Sequence, residues 1–559
     1  MLAVKHDLET ARVELESVKS ALVARDYATA QRGLAPAQEQ LRAARRAADD
    51  PVVRVVALIP WLGNPARIAR GLTGAADQLG TDVLPGLVTT ARELDPHRVR
   101  RADGTIDVAR LQSQAAPLDA LAAQARAAQR RIDRLPSGYL PAITRAQDRA
   151  RRLADDLATA VTTLDDALHH APAMLGADAP RRYFVMLQQY GEARGTGGLL
   201  GGFAVLTLDH GRIRLESSGT DLDLHDGHVP PSSDLPPDLV SGYALSGAFD
   251  IWPDVNLSPD LDQVAKLIRD RWRHQTGQPI DGVIALDATG LTDLLKGHAP
   301  LRVGGTTVPV DQLTQFLSVG QYGQTSDRGR RQNLLADVAD QALRDLVHGG
   351  GSSSDLATGA QAAVTSGHLR IASLHAEDTP FLQRLGVDGG LPQGPAPLTM
   401  AIVSSASGSK LDYFLDRSLH YQVDGCANGR RQTTVRFAVT SRTPALATLP
   451  PYMTILLTGP TPTHSVTNVD HLSIYGTRGA RFVSGDLDGV PISTDGSTDL
   501  ALDEMVESGV PVWGVNVDTP PGRTRTLTLH LSEPITRGAV RVPVQPLARE
   551  QRTTVSGGC

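Results

Sequence analysis

Long apolar runs, cysteines, lysines and aromatic side chains are all scarce in this sequence. The best apolar run near the start, Val52 to Leu62, is short and broken by Arg54 and Pro60. It falls well below the ~20 residues a membrane-spanning helix needs. No basic segment followed by an apolar one opens the chain, so no export signal is read there. Taken literally, these absences describe a soluble cytosolic protein. Basic residues do not outnumber acidic ones: the net charge is −6 and the pI about 6.2, which excludes a global basic field for nucleic acid. Only five lysines occur, at positions 5, 19, 266, 296 and 410. Aromatics make up 4% of the chain, beside an apolar fraction of 41% that is ordinary for a folded protein. Catalytic signatures are also missing: there is no Walker loop, no HExxH and no Gly-x-Ser-x-Gly elbow. Gly195-Thr196-Gly197-Gly198 does not precede a helical pattern, so a dinucleotide fingerprint is not expected.

Two cysteines remain. Cys426 sits in an Asp-Gly-Cys-Ala-Asn-Gly turn and Cys559 is the last residue. They are either a staple clipping the chain end to a loop in an oxidising compartment or two unrelated thiols, and composition does not choose.

A length of 559 residues exceeds one core, and roughly 150 residues per domain suggests three or four units. Residues 3–170 are helical in pattern, with helices expected at 27–48 (capped by Asp26), 66–93, 107–133 and 141–169. From Arg181 strands alternate with helices. Tyr183 to Gln188, Phe203 to Leu208 and Arg212 to Glu216 read as strands, the last two joined at Asp209-His210-Gly211. Ser258-Pro259-Asp260 reads as a helix start with serine as cap, and 279–287 as a buried strand. A long helix is expected from about Arg328 to Val347, ending at Gly349-Gly350-Gly351. After about Leu415, strands are expected at 418–424, 432–440, 452–458, 471–475, 511–517, 525–531 and 539–545, a spacing that suggests an immunoglobulin-like β-sandwich. The expected fold is thus multidomain α+β: a helical bundle over 1–175, an α/β sandwich over 176–415 and a β-sandwich over 416–559.

Three places could carry chemistry. Arg194 stands among Gly195, Gly197, Gly198, Gly201 and Gly202, where a backbone could approach an anion and a guanidinium could fork onto it. The same glycines suit a crowded sheet crossing that holds no ligand. Ser326-Asp327-Arg328-Gly329-Arg330-Arg331-Gln332 starts the long helix, where clustered arginines oppose the helix dipole unless an anion joins them. The stretch from Thr220 to His228 offers Asp221 and Asp223 as oxygen ligands for a divalent cation, or is a plain polar loop.

The run from 183 to 335 resembles the LytR–CpsA–Psr cell-envelope family. It is more closely similar to a mostly actinobacterial family, the domain of unknown function numbered four thousand and twelve. The residues that carry the likeness are Glu192-Ala193-Arg194-Gly195-Thr196-Gly197-Gly198, Asn256-Leu257-Ser258-Pro259-Asp260 and Ile280 to Asp287, with Pro60-Trp61-Leu62-Gly63, the sandwich and the terminal cysteine in support. The resemblance implies a LytR–CpsA–Psr-like central domain and a Cys426–Cys559 disulfide. It also implies a location outside the cytoplasmic membrane, in the cell envelope, with membrane association in a full-length form through a helix that this sequence does not show. LytR–CpsA–Psr enzymes move glycopolymers from a polyprenyl-pyrophosphate carrier, using arginines for the pyrophosphate and aspartates for magnesium. Here Gly195-Thr196-Gly197 replaces the aspartate that should follow Arg194, and Ser218-Gly219-Thr220 replaces a second arginine site. Asp327, Arg330, Arg331 and Gln332 echo the helix start, Gln332 out of register.

The expectation is therefore an envelope protein that binds a polyprenyl-phosphate-linked glycan or an anionic cell-wall polymer without strong catalysis. The ligand residues would be Arg194, Glu192, Arg328, Arg330, Arg331 and Gln332. A magnesium-dependent glycopolymer phosphotransferase using Asp221 and Asp223 for the metal is one alternative. A structural or interaction protein with a vestigial site is the other.

Overall fold

The computed structural model describes residues 2–59, 63–303, 305–325, 327–348, 351–457, 461–494 and 500–559, apart from some side chains within helices, among them those of Arg328 and Gln332. Pro60, Trp61, Leu62, Ser326, Gly349 and Gly350 lie outside the described residues. The chain is mixed α+β, with helices first and β-sheets last. It divides into two compact units: Met1–Pro180 with Leu208–Arg212, and Arg181–Thr207 with Ile213–Cys559.

In the first unit Asp26 caps the helix Tyr27–Ala48, its Oδ1 accepting the Thr29 N–H at 2.9 Å. Pro51 opens the helix Pro51–Leu58 behind the Asp50 cap, because its missing N–H is one the first helical turn cannot use. The helix expected over 66–93 is two segments, Asn64–Gln78 and Leu84–Glu93, joined by a wider π turn at Leu79–Val83. Helices Ala115–Asp133 and Pro141–Met174 close a core of Leu118, Leu121, Ala122, Val161 and Leu168.

The second unit begins with a five-stranded sheet. Its first four strands in chain order are β1 (Arg181–Arg194), β2 (Gly197–Asp209), β3 (Arg212–Thr220) and β4 (Gly282–Asp287), ordered β3-β2-β1-β4 and completed by Leu369–Ser373. Only two residues join β1 to β2, which forces a reversal. β4 instead runs parallel to β1, Tyr183 facing Gly282 and Gln188 facing Asp287. A parallel partner requires a crossover, and the connection includes the helix Leu261–Thr276. Ser258 is not its cap: the helix starts after Asp260, whose N–H donates to Ser258 Oγ at 3.0 Å. One face of the sheet carries an aromatic cluster, with Phe184 stacked 5.5 Å from Phe203 and 5.9 Å from Trp252.

Besides two-stranded ribbons, two larger sheets follow. Met400–Ser405, Asn468–Tyr475, Val510–Thr519 and Asp503–Glu507 form one. The other is ordered Val490–Pro491, Arg481–Leu487, Thr524–Pro534, Arg430–Ser441, Leu415–Ala427 and Gln551–Ser556. Within the second, Val435 faces Leu529 and Phe437 faces Leu527, all buried. The strand expected at 539–545 is absent; Pro543 and Pro546 remove ladder donors there. Residues 451–454 form a 3₁₀ turn before the two-residue strand Ile455–Leu456. Gln551–Ser556, which the sequence pattern did not mark, pairs parallel with Leu415–Ala427. Cys426 and Cys559 form a disulfide across these neighbours, their Cα atoms 5.9 Å apart. Among the described residues no helix is long and apolar enough to cross a membrane.

Candidate ligand cavity

The glycine crossing after β1 is a packing device. A Cβ on Gly195 would stand 2.1 Å from the Leu257 carbonyl oxygen and 2.4 Å from the Ser258 carbonyl carbon. Asn256, wholly buried, donates through Nδ2 to Thr196 Oγ1 and to the Gly198 carbonyl, both at 2.8 Å. The segments 192–198 and 256–260 are therefore one clamp, which explains why both motifs occur together. The third motif is structural too. Asp287 ends β4 and caps the helix Ala288–Leu294, Oδ1 accepting the Thr289 and Gly290 N–H groups at 3.1 and 2.9 Å. Its Oδ2 lies 2.7 Å from His368 Nδ1.

The clamp places the end of β1 on a cavity of about 1270 Å³. Glu192, Arg194, Asp254, Arg331, Lys410 and Tyr452 form its charged wall. Arg194 is buried and spends its donors on the protein. Nε and Nη2 lie 3.1 and 3.0 Å from Asp254 Oδ1, and Nη2 lies 3.4 Å from Glu192 Oε2. Nη1 donates to the Ala193 and Ser405 carbonyls at 2.9 and 3.4 Å. A guanidinium has five N–H groups, so Arg194 acts as a strut rather than an open anion fork.

Lys410 Nζ donates to Glu192 Oε1 and to the Gly408 carbonyl. Burial pushes the Glu192 carboxyl up, but the charges of Lys410 and Arg194 outweigh it and hold it below its ordinary value. Asp254 goes the other way, raised by a burial that Arg194 only partly offsets. Asp412, two residues beyond Lys410, accepts the Ala193 N–H at 2.8 Å, fixing the loop on β1. Arg331 lays its guanidinium carbon 3.7 Å from the Tyr452 ring centroid and 5.9 Å from that of Tyr322. Lys410 Nζ is 5.7 Å from the same Tyr452 ring, so one aromatic ring has two cations near it. The apolar lining includes Leu245, Ile251, Ile455, Leu457 and Met505. Leu245 is fully exposed and Leu457 is 63% exposed.

A buried carboxyl lies behind the same cavity. Glu507 accepts from the hydroxyls of Tyr475 (2.6 Å), Tyr243 (2.8 Å) and Ser258. Burial lifts its pKa to about 7 against those hydroxyls. Tyr243 and Tyr475 themselves line the cavity.

Of the residues expected to bind a ligand, Arg194, Glu192 and Arg331 thus come together at the cavity wall. Arg330 is exposed and is not part of that wall. The side chains of Arg328 and Gln332 lie outside the described residues. Asp221 lines the cavity, whereas Asp223 Oδ2 accepts from the N–H and hydroxyl of Thr220 at 2.8 and 3.1 Å. Among the described residues the two belong to no cluster of three His, Cys, Asp or Glu ligands. Lys410, Asp254, Tyr322 and Tyr452 were not foreseen. Asp254 lay two residues before a recognised motif, and nothing local marked the other three.

Residues 178–322 match the family model described as "Protein of unknown function (DUF4012)". That match spans β1 to β4, the clamp and Tyr322. No curated protein and no solved structure matches the chain.

Proposed function

We propose that this protein is an extracytoplasmic component of the cell envelope that holds a polyprenyl-phosphate-linked or anionic glycopolymer in the cavity without turning it over. The central sheet would be a LytR–CpsA–Psr-like domain and the C-terminal sheets an immunoglobulin-like module. The observation that carries the reading is the cavity's mixed wall: Lys410 and Arg331 both stand by the Tyr452 ring, and exposed apolar side chains such as Leu245 and Leu457 also line the cavity. Such a wall suits a ligand with an anionic head and an apolar chain, and the volume exceeds the ~300–1,000 Å³ usual for small ligands. The disulfide supports an oxidising compartment. Holding is favoured over catalysis because phosphoryl transfer depends on arginine and metal charge facing the phosphate. The donors of Arg194 are already directed to Asp254, Glu192 and two carbonyls.

The test is binding of a polyprenyl phosphate to the full chain, with the uncharged polyprenol as comparison. Lys410→Ala and Arg331→Ala should each weaken binding about tenfold or more, the value of one charged hydrogen bond. Arg330→Ala should leave it unchanged. Equal binding of polyprenol, or no lipid binding, would overturn the reading.

A further inference from the structure

Within the helical unit, Ala115–Asp133 and Pro141–Met174 bring three ligand-type side chains together. Asp165 and His169 are four residues apart on one helix and so share a face. Asp119 reaches them from the neighbouring helix. His169 Nε2 lies 3.0 Å from Asp119 Oδ1 and 3.8 Å from Asp165 Oδ1. All three ligand atoms fall within 4.8 Å of one another.

The cluster differs from an ordinary surface ion pair in one respect. Asp165 is only 7% exposed, and its Oδ1 is buried with no hydrogen-bond partner while lying beside His169. Buried polar atoms are normally paired, so an orphan needs a cause. We propose that Asp119, Asp165 and His169 form a binding site for a divalent transition-metal ion of the zinc class, which cross-links the two helices.

The geometry fits that class. Donors ~2.05 Å from a tetrahedral centre stand about 3.3 Å apart, a value bracketed by the two separations at His169 Nε2. An imidazole with two carboxylates suits zinc better than magnesium or calcium, which prefer oxygen alone. Asp119 and His169 have side chains 54% and 48% exposed, which gives the ion an entry path and leaves coordination positions for water. The site sits at the rim of the core containing Leu118 and Leu168, the sequence neighbours of Asp119 and His169. An ion bound to the folded form alone would stabilise this unit by mass action.

The test uses the full chain with cobalt(II) as a spectroscopic probe, zinc as competitor and thermal melting as a second readout. One cobalt ion should bind, zinc should displace it, and zinc should raise the melting temperature. His169→Ala and the near-isosteric Asp119→Asn should each weaken binding by at least about tenfold, since losing even an outer-shell partner costs that much. Both should also abolish the thermal shift while keeping the far-ultraviolet helix signal. No saturable uptake up to about 0.1 mM cobalt, or equal affinity in both variants, would reduce the trio to a plain ion pair.

Discussion

Glu507 shows how position rather than residue type sets chemistry. Its ordinary value of 4.5 rises to about 7 because the carboxyl is removed from water. The folded state therefore holds this proton more tightly than the unfolded chain does. The resulting stability is full below about pH 4.5 and is lost as pH rises towards 7. Asp262, raised to about 7, and Asp412, raised to about 6, both mainly by burial, act in the same direction. Glu507→Gln keeps a neutral acceptor for the surrounding hydroxyls, so thermal melting from pH 5 to 7 should fall less steeply in this variant than in the parent; an unchanged slope would refute the assignment. Arg194 teaches a related lesson. The sequence marks it correctly as an unusual arginine, but its role as strut depends on Asp254 and the Ser405 carbonyl, neither of which local pattern could place beside it.

Among the elements, those that form through local rules were legible. Asp26 caps its helix, and β1 and β4 follow their apolar runs. The buried strand Met400–Ser405 escaped, and so did two that are polar or exposed. Arg481–Leu487 carries few buried positions and Gln551–Ser556 none; each is a strand because a neighbour pairs with it, as Ser532 does with Arg481 and Arg417 with Gln551. The 192–198 crossing is the element whose failure is easiest to provoke. Gly195→Ala drives a methyl group into the Leu257 carbonyl and should cost about 1–3 kcal/mol, the range for overpacking. Gly425→Ala, with no neighbour within 4 Å of its Cβ, should change the denaturation midpoint little. Equal effects would mean that the clamp gives way freely.

For the molecule, the disulfide is the principal covalent constraint. Cys426 and Cys559 are 133 residues apart in sequence, and their bond ties the tail after Gln551–Ser556 to the neighbouring strand Leu415–Ala427. Closing so long a loop restricts the unfolded chain, and removing such a bond costs roughly 2–5 kcal/mol. Cys559→Ser should therefore lower the melting temperature under oxidising conditions and leave the variant insensitive to reductant. A parent protein indifferent to reductant would contradict this.

Helix periods, the Asp26 cap and the turn between β2 and β3 are properties of neighbouring residues, so the linear chain was enough to establish them. The cavity is different. Its charged wall draws on positions 192, 194, 254, 331, 410 and 452, and their meeting depends on packing across distant segments. Burial, which decides both the strut role of Arg194 and the proton on Glu507, exists only once those segments have closed around them.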